Sequence, residues 1–333
     1  MKEAKHIAIV GATGAVGEEM LACLDQRNFP ISQLTLLASA RSAGKQIEFQ
    51  GKQITVKELT HDSFAGVDIA LFAAGGGTSE TFAPSAAKAG SIVIDNSSAF
   101  RMDDEVPLIV PEINPEAVKE AVKGIIANPN CTTIISLMAL FPLHQKYGLK
   151  SIIASSYQAV SGSGAPGIAE LKQQTEALVN GGELVSEVYP TQIVSNVIPQ
   201  VDAFQPDHYT KEELKMLNES RKILKLPNLK VTCTCVRVPV YRSHSVSITA
   251  GFENAPNVED SRAVYTDYPG INAKDDPSQN LFPTPLDTTL KDDCLVGRIR
   301  EDKVLDNALA LWVVGDQVRK GAALNAVQIA EIL

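Results

Sequence analysis

The sequence predicts two α/β parts of different design: an N-terminal doubly wound unit on a parallel sheet, then an α+β unit with a mainly antiparallel sheet. Up to about residue 131, short apolar runs alternate with helix-like segments, the rhythm of parallel strands joined by crossover helices. A glycine-rich turn, GATGAVG, links the first apolar run to the first such segment. Beyond residue 131, VTCTCVRVPV and HSVSITAGFE follow one another with no helix between them, as antiparallel neighbours do.

In order, the first unit reads HIAIV, the helix GEEMLACLDQR, LTLLA, VDIALFAA, the helix-like FAPSAAKAG and SIVIDN. The second opens with the helix that Cys131 introduces, CTTIISLMALF, then SIIASSYQAV, a glycine-rich turn and a helix from about Gly167. KEELKMLNESRKILK carries a capping box, with Thr210 as the cap and Glu213 three residues on. Its Leu214, Leu217 and Leu224 fall on or near one helical face. The last segment, GDQVRKGAALNAVQIAEIL, is helix-like and too short for a domain. The expected division is therefore 1–131, completed by a C-terminal helix 314–333, and 132–313.

Composition narrows the function. The chain has 333 residues, 44% hydrophobic and 21% charged, enough for a sizeable core. Thirty basic against thirty-nine acidic side chains give a net charge of -9 without a basic stripe, which argues against nucleic acid as a partner. No apolar stretch reaches the roughly 18 residues a membrane helix needs, and no repeat is visible. MKEAKHIAIV runs directly into a strand without the features of a signal peptide, so a cytoplasmic location is expected. Five cysteines, an odd number without a CxxC framework, read as reduced thiols. Cys233 and Cys235 share one strand face, but no His or second Cys pair follows at zinc spacing, so no metal site is expected.

Gly11, Gly14 and Gly17 stand between a strand and a helix as a GxxGxxG variant of the dinucleotide fingerprint. Glycines let the backbone approach a pyrophosphate, and the following helix N-terminus offers N–H groups and positive potential. The unit is thus read as Rossmann-like. At the end of the second strand, where an acidic residue would bind the ribose of NAD, the chain has ASARSAGK, with Ser39, Arg41 and Ser42. A guanidinium and hydroxyls suit a 2'-phosphate, which favours NADP.

Cys131 follows the turn NPN at the start of a helix, where the local dipole stabilises a thiolate and free N–H groups could hold an oxyanion. A proton acceptor must come from His6, His61, His144, His208 or His244. His144 lies too far along the helix at 1.5 Å per residue. His244, after Arg237 and Arg242 at a strand junction, is favoured over His208, which lies among turn residues.

GATGAVG, ASARSAGK, DNSSAFRMDDEVPLIVPEIN, NPNCTT, YQAVSGSGAPG, KEELKM, CVRVPVYRSHS, FPTPLDTTLKDDCLVGRIR and KGAALNAVQIAE, in that order, resemble the aspartate-semialdehyde dehydrogenase family along nearly the whole chain. The resemblance implies an oxidoreductase. It would convert 4-phospho-L-aspartate and NADPH reversibly to L-aspartate 4-semialdehyde, phosphate and NADP+, in the biosynthesis of lysine, threonine, methionine and isoleucine. It implies Cys131 as the nucleophile forming a thioacyl enzyme, His244 as general acid/base and Gln158 as the group positioning the carbonyl and Cys131. Arg237 would hold the substrate α-carboxylate and Glu212 its ammonium, while Arg101, Lys215 and Asn130 would bind phosphate. For NADP it implies Thr13, Gly14, Ala15 and Val16 at the pyrophosphate alongside Gly11, Arg41 and Ser42 at the 2'-phosphate, and Ser161 and Gly162 near the nicotinamide. Gln317 and Asn325 in the final helical segment would also reach it. A homodimer or homotetramer, with the second domain as the interface, is the assembly it implies. An N-acetylglutamyl-phosphate reductase is the rival enzyme, disfavoured because Glu212 would counter a free ammonium.

Overall fold

The computed structural model describes residues 3–333. The chain divides into two compact units, one running to Asn130 and including Ala322–Leu333, the other Cys131–Gly321.

The first unit begins with β1 (Lys5–Val10), α1 (Ala15–Gln26) and β2 (Ile31–Ala38). A hairpin of β3 (Gln46–Phe49) and β4 (Lys52–Thr55) follows, then β5 (Lys57–Glu58), β6 (Ile69–Phe72), α2 (Gly76–Lys88), β7 (Ile92–Asp95) and β8 (Ile125–Ala127). The hairpin, its turn made at Gln50 and Gly51 with φ of 49° and 73°, was not foreseen from the sequence. The main sheet runs β5-β2-β1-β6-β7-β8 with every pairing parallel. That is the doubly wound order in which the sheet reverses between the first strand and the fourth, here β1 and β6. Ile7 to Val10 and Ile69 to Phe72 are buried on both faces, which is why these strands read as continuous apolar runs.

The second unit opens with α3 (Cys131–Tyr147), buried without a break from Thr132 to Leu140, as a helix apolar all round must be. Next come β9 (Leu149–Gln158), α4 (Gly164–Asn180), α5 (Lys211–Leu224), β10 (Lys230–Arg237) and β11 (His244–Phe252). The unit ends with α6 (Val258–Ala263), β12 (Ile271–Ala273), α7 (Pro285–Thr288), β13 (Cys294–Glu301) and β14 (Ala308–Gly315). Its sheet order is β10-β9-β11-β14-β13-β12. Three of the five pairings are antiparallel, and β9–β10 and β12–β13 are parallel. VTCTCVRVPV and HSVSITAGFE are therefore not neighbours, because β9 lies between them. Their connection crosses the end of β9, where the N–H groups of Val160 and Ser161 donate to the carbonyls of Val240 and Tyr241 at 2.9 and 3.2 Å.

The capping box of α5 is formed, and its buried face carries Glu212, Glu213, Met216, Glu219, Ser220 and Ile223, while Leu214, Leu217 and Leu224 are half-buried. A further expectation needs correction: 314–333 is not one helix. Strand β14 continues to Gly315, a π-helical turn occupies Arg319–Ala323, and only α8 (Leu324–Glu331) is α-helical. Asp316 breaks the segment there, since its carboxylate accepts the backbone N–H groups of Leu290, Val318 and Arg319 at 2.7 to 3.2 Å. Helix α8 packs on α1 and β7 of the first unit, and Arg27 binds Glu331 through two hydrogen bonds of 2.6 and 2.7 Å.

Candidate active site

In the first unit the nucleotide loop is built from backbone. Gly11 ends β1 with φ of 83°, and a Cβ there would stand 2.9 Å from the Ala73 carbonyl oxygen, just past β6. Gly17 lies against Ala12, whose Cα would be 2.8 Å from an added Cβ, and against the Gly11 carbonyl. Helix α1 is capped by Gly14, whose lack of a side chain leaves the N-terminal N–H groups of Ala15 and Val16 without a side-chain cap. These features suit a dinucleotide pyrophosphate at the point where the sheet reverses. Arg41 and Ser42 lie in a short 3-10 turn after β2, Arg41 exposed and Ser42 buried. Asn325 is fully buried in α8, where its Nδ2 donates to the Ile109 carbonyl at 3.0 Å and to Asn128 Oδ1 at 2.6 Å. Arg101 is buried too, with Nε donating to the Asn128 carbonyl and Nη2 to that of Asn96. Asn130 closes this unit in a buried position.

The second unit gathers the remaining residues at the ends of strands and helices. Cys131 is the first residue of α3 and the one cysteine of five that is not buried. Gly321 leaves room for it, since a Cβ there would come within 2.7 Å of Cys131 Cβ. Gln158 and Arg237 are register partners at the ends of the parallel strands β9 and β10, which sets their side chains side by side. Gln158 Nε2 donates to Thr132 Oγ1 at 2.7 Å and to Glu212 Oε1 at 2.9 Å. Glu212 also accepts from Lys215 at 3.0 Å, and Lys215 reaches Asp202 at the same distance. Burial lowers the Lys215 pKa, but Glu212 and Asp202 outweigh it and hold the ammonium above its usual value.

Arg237 Nη1 donates to the Ala159 carbonyl at 2.6 Å, and its guanidinium carbon lies 5.9 Å from the centre of the Tyr189 ring. His244, the first residue of β11, is fully buried and accepts the Ala159 N–H on Nδ1 at 3.0 Å. Burial and the neighbouring Arg237 push its pKa down to about 3 against the pull of Glu212, so the ring is neutral at physiological pH. Gly162 sits where a Cβ would meet Arg237 Nη1 at 2.8 Å and His244 Cε1 at 3.3 Å. Ser161 is bonded to Gln317 Nε2, and Gln317 Oε1 accepts the Ser243 N–H at 2.8 Å. Gln317 thus lies in the turn after β14 and not on a helix.

Three buried polar atoms of this cluster have no hydrogen-bond partner among the described residues: Gln158 Oε1, Arg237 Nε and His244 Nε2. Orphaned groups cost about 1–3 kcal/mol each, so a cluster of them beside a thiol marks a site that binds a polar ligand. No group of three or more metal-ligating side chains exists among the described residues. His208 is exposed in a turn, with φ of 70°.

The comparisons with known proteins point the same way in both units. A family model described as "Semialdehyde dehydrogenase, NAD binding domain" matches residues 6–121, and "Semialdehyde dehydrogenase, dimerisation domain" matches 140–320. An aspartate-semialdehyde dehydrogenase of Aquifex aeolicus is 52% identical, covering 98% of this chain and 97% of the relative. The chain belongs to the aspartate-semialdehyde dehydrogenase family. Among solved structures of that family, aspartate semialdehyde dehydrogenase II of Vibrio cholerae complexed with ASA superposes with a TM-score of 0.97 at 46% identity. It covers 100% of this chain and 98% of its own. The enzyme of Candida albicans with NADP gives 0.77 at 27% identity, with 99% and 98% covered.

Several residues around this cluster escaped the sequence. Thr132 and the Ala159 backbone hold other side chains in place, Gly321 leaves room for Cys131, and Asp316 accepts from Arg242 Nε at 2.7 Å; none of them advertises chemistry. Thr132 could have been suspected from its place next to Cys131, and Ala159 carries no signal at all. No helix among the described residues is long and apolar enough to cross a membrane.

Proposed function

We propose that this chain is an NADP-dependent aspartate-semialdehyde dehydrogenase that converts 4-phospho-L-aspartate and L-aspartate 4-semialdehyde reversibly through a thioester on Cys131. The observation that carries the reading is the cluster of unpartnered buried atoms at Gln158, Arg237 and His244 beside the α3 N-terminus. A small zwitterionic substrate fits it. Arg237 would take the α-carboxylate, Glu212 the ammonium, and Gln158 would orient the carbonyl against Cys131. Arg101, Lys215 and Asn130 would bind the phosphate.

Cys131 attacks the acyl phosphate, phosphate leaves, and the resulting thioester is more easily reduced than a carboxylate. The bound cofactor supplies the hydride chemistry. Gly11, Thr13, Gly14, Ala15 and Val16 would hold its pyrophosphate, Arg41 and Ser42 the 2'-phosphate, and Ser161 and Gly162 the nicotinamide end. Gln317 and Asn325 are both buried and bonded within their own units, so they support the shape of the cofactor site more readily than they contact the cofactor. A cytoplasmic homodimer or homotetramer completes the reading. It is supported by the dimerisation-domain match and by Ile153 and Tyr157, exposed on the second unit's sheet.

The test is phosphate-dependent NADP+ reduction with L-aspartate 4-semialdehyde, run beside N-acetylglutamate 5-semialdehyde and with NAD+ in a parallel arm. Turnover with the first aldehyde alone, and faster with NADP+, is the expected result. Turnover with the acylated aldehyde instead would replace the substrate assignment.

A further inference from the structure

Two buried side chains of α4, Glu170 and Gln174, have no part in the chemistry proposed above, yet both are spent on one segment of the second unit. Residues 185–197 run without helix or strand. Glu170 Oε2 accepts the N–H of Glu187 at 2.8 Å and that of Val188, while Gln174 Oε1 accepts those of Ile193 and Val194 at 2.9 and 3.0 Å. Gln174 Nε2 donates to the Val185 carbonyl at 2.8 Å. Ile198 then pairs with Arg237 itself, each backbone N–H donating to the other's carbonyl at 2.8 and 2.9 Å. The side chain that this pinned segment carries to Arg237 is Tyr189.

The Tyr189 ring centre lies 5.9 Å from the Arg237 guanidinium carbon, within the range where a cation is drawn to an aromatic face. Its hydroxyl donates to the Val160 carbonyl at 3.3 Å, and a Cβ on Gly167 would stand 2.6 Å from that hydroxyl, so the ring is held at its far end too. Arg237 Nη1 donates to the Ala159 carbonyl at 2.6 Å and is closed in by Gly162, where a Cβ would stand 2.8 Å away. With Nη1 committed, the edge left to a ligand is Nε with Nη2, and Nε is buried without a hydrogen-bond partner among the described residues. That edge matches a carboxylate through two parallel hydrogen bonds. One hydrogen bond at Nη1 leaves the guanidinium free to turn about it, and the aromatic ring removes that freedom. We infer that Tyr189 is a positioning residue for Arg237, its ring fixing the guanidinium plane so that the Nε–Nη2 edge meets the substrate α-carboxylate. The inference rests on the proposed substrate, a small amino acid derivative with a free carboxylate.

Kinetics of Tyr189→Leu and Tyr189→Phe test it. Leucine keeps apolar bulk but no aromatic face, and the KM for L-aspartate 4-semialdehyde should rise about 5- to 30-fold, the span of a partly desolvated cation–π contact. The kcat and the KM for NADP+ should stay within about twofold, as expected when only substrate binding is lost. Tyr189→Met, of similar reach and equally faceless, should repeat that rise, whereas Tyr189→Phe keeps the face and should stay within about twofold of the parent throughout. In an Arg237→Lys background, Tyr189→Leu should add less than about twofold, because the two residues act as one unit. An unchanged KM in the leucine and methionine variants, an equal loss in the phenylalanine variant, or the full loss again in the lysine background overturns the inference. A second measurement needs no substrate. In arginine-15N-labelled protein, the Arg237 Nε–H signal, assigned by its loss in Arg237→Lys, should hold its position in Tyr189→Phe and move in Tyr189→Leu. A signal indifferent to both changes overturns the inference. A parent that turns over no aldehyde, with the Arg237 signal still following the ring, sinks the substrate reading and leaves the positioning of Arg237 supported.

Discussion

The two units hold their functional groups by opposite means. In the first, the nucleotide loop is seven consecutive residues whose effect comes from absent side chains: Gly11 takes a positive φ, Gly17 admits the loop backbone and Gly14 leaves the helix end uncapped. In the second, Thr132, Gln158, Glu212, Arg237 and His244 stand at the ends of α3, β9, α5, β10 and β11, and each is held by a hydrogen bond to another of them or to the Ala159 backbone. A backbone-built site is written in local spacing. A side-chain-built site is written in strand register and hydrogen-bond direction, so damage to one should leave the chemistry of the other measurable.

The largest expected effect separates the two. Cys131→Ala should lower turnover by on the order of a thousandfold or more, as loss of a nucleophile does, while NADPH affinity measured by fluorescence titration stays within about twofold. Substantial residual activity in a purified preparation would remove Cys131 from the reaction. The reciprocal change is Gly17→Ala. Its Cβ would meet backbone, with Ala12 Cα at 2.8 Å, and backbone cannot swing aside as a side chain does. Overpacking of this kind costs about 1–3 kcal/mol, to be seen as weaker NADPH binding and a lower Tm, with iodoacetamide still alkylating Cys131 at the parent rate. A changed alkylation rate would mean the two sites are not separable.

Much of the first unit was legible because both its devices are periodic or local. The alternation of apolar runs announced a parallel sheet, and three glycines at fixed spacing announced the loop. In the second unit, Cys131 was readable from its helix-start position, but Gln158, Glu212 and Arg237 entered only through the family resemblance. Their bonds join residues far apart in sequence, Gln158 to Glu212 and Ala159 to His244. The same distance hid the β10-β9-β11 order, since two runs with no helix between them look like neighbours whether or not a third strand inserts. On α5 the same distance hides which side faces inward: Glu212 and Glu213 are buried because Gln158, Thr210 and Cys235 supply donors for their carboxylates.

Next in size is the support of Gln158. Thr132→Val keeps the shape but removes the acceptor 2.7 Å from Gln158 Nε2, leaving one amide N–H buried without a partner. That costs about 1–3 kcal/mol. If it falls on the orientation of Gln158, kcat/KM should drop roughly tenfold or more with NADPH affinity unchanged, and Thr132→Ser should restore it. Loss of stability without loss of kcat/KM would make Thr132 merely structural.

His244 ties the chemistry of the second unit to its stability. Its pKa is about 3 when folded, against 6.5 for a free imidazole, so the unfolded chain binds the extra proton first. Stability is unaffected above pH 6.5 and falls as the pH drops from there towards 3, by about 2 kcal/mol at pH 5. Urea unfolding at pH 7.5 and pH 5 should show that decrement shrinking in His244→Gln. An equal decrement in the variant would place the acid sensitivity elsewhere.

The smallest effect concerns the histidine that the sequence separated only weakly from His244. His208 is exposed and holds φ of 70° in the turn before α5, a backbone conformation that Asn adopts more readily than most side chains. Its ring has no place among the bonds that join Thr132, Gln158, Glu212, Arg237 and Ala159. His208→Asn should therefore change kcat/KM by less than about twofold and stability by a few tenths of a kcal/mol at most, as exposed substitutions generally do. The two histidines differ in what surrounds the ring rather than in any motif. A tenfold loss of activity in His208→Asn would show that the turn before α5 takes part in catalysis, and that the hydrogen-bonded strand ends do not account for the whole site.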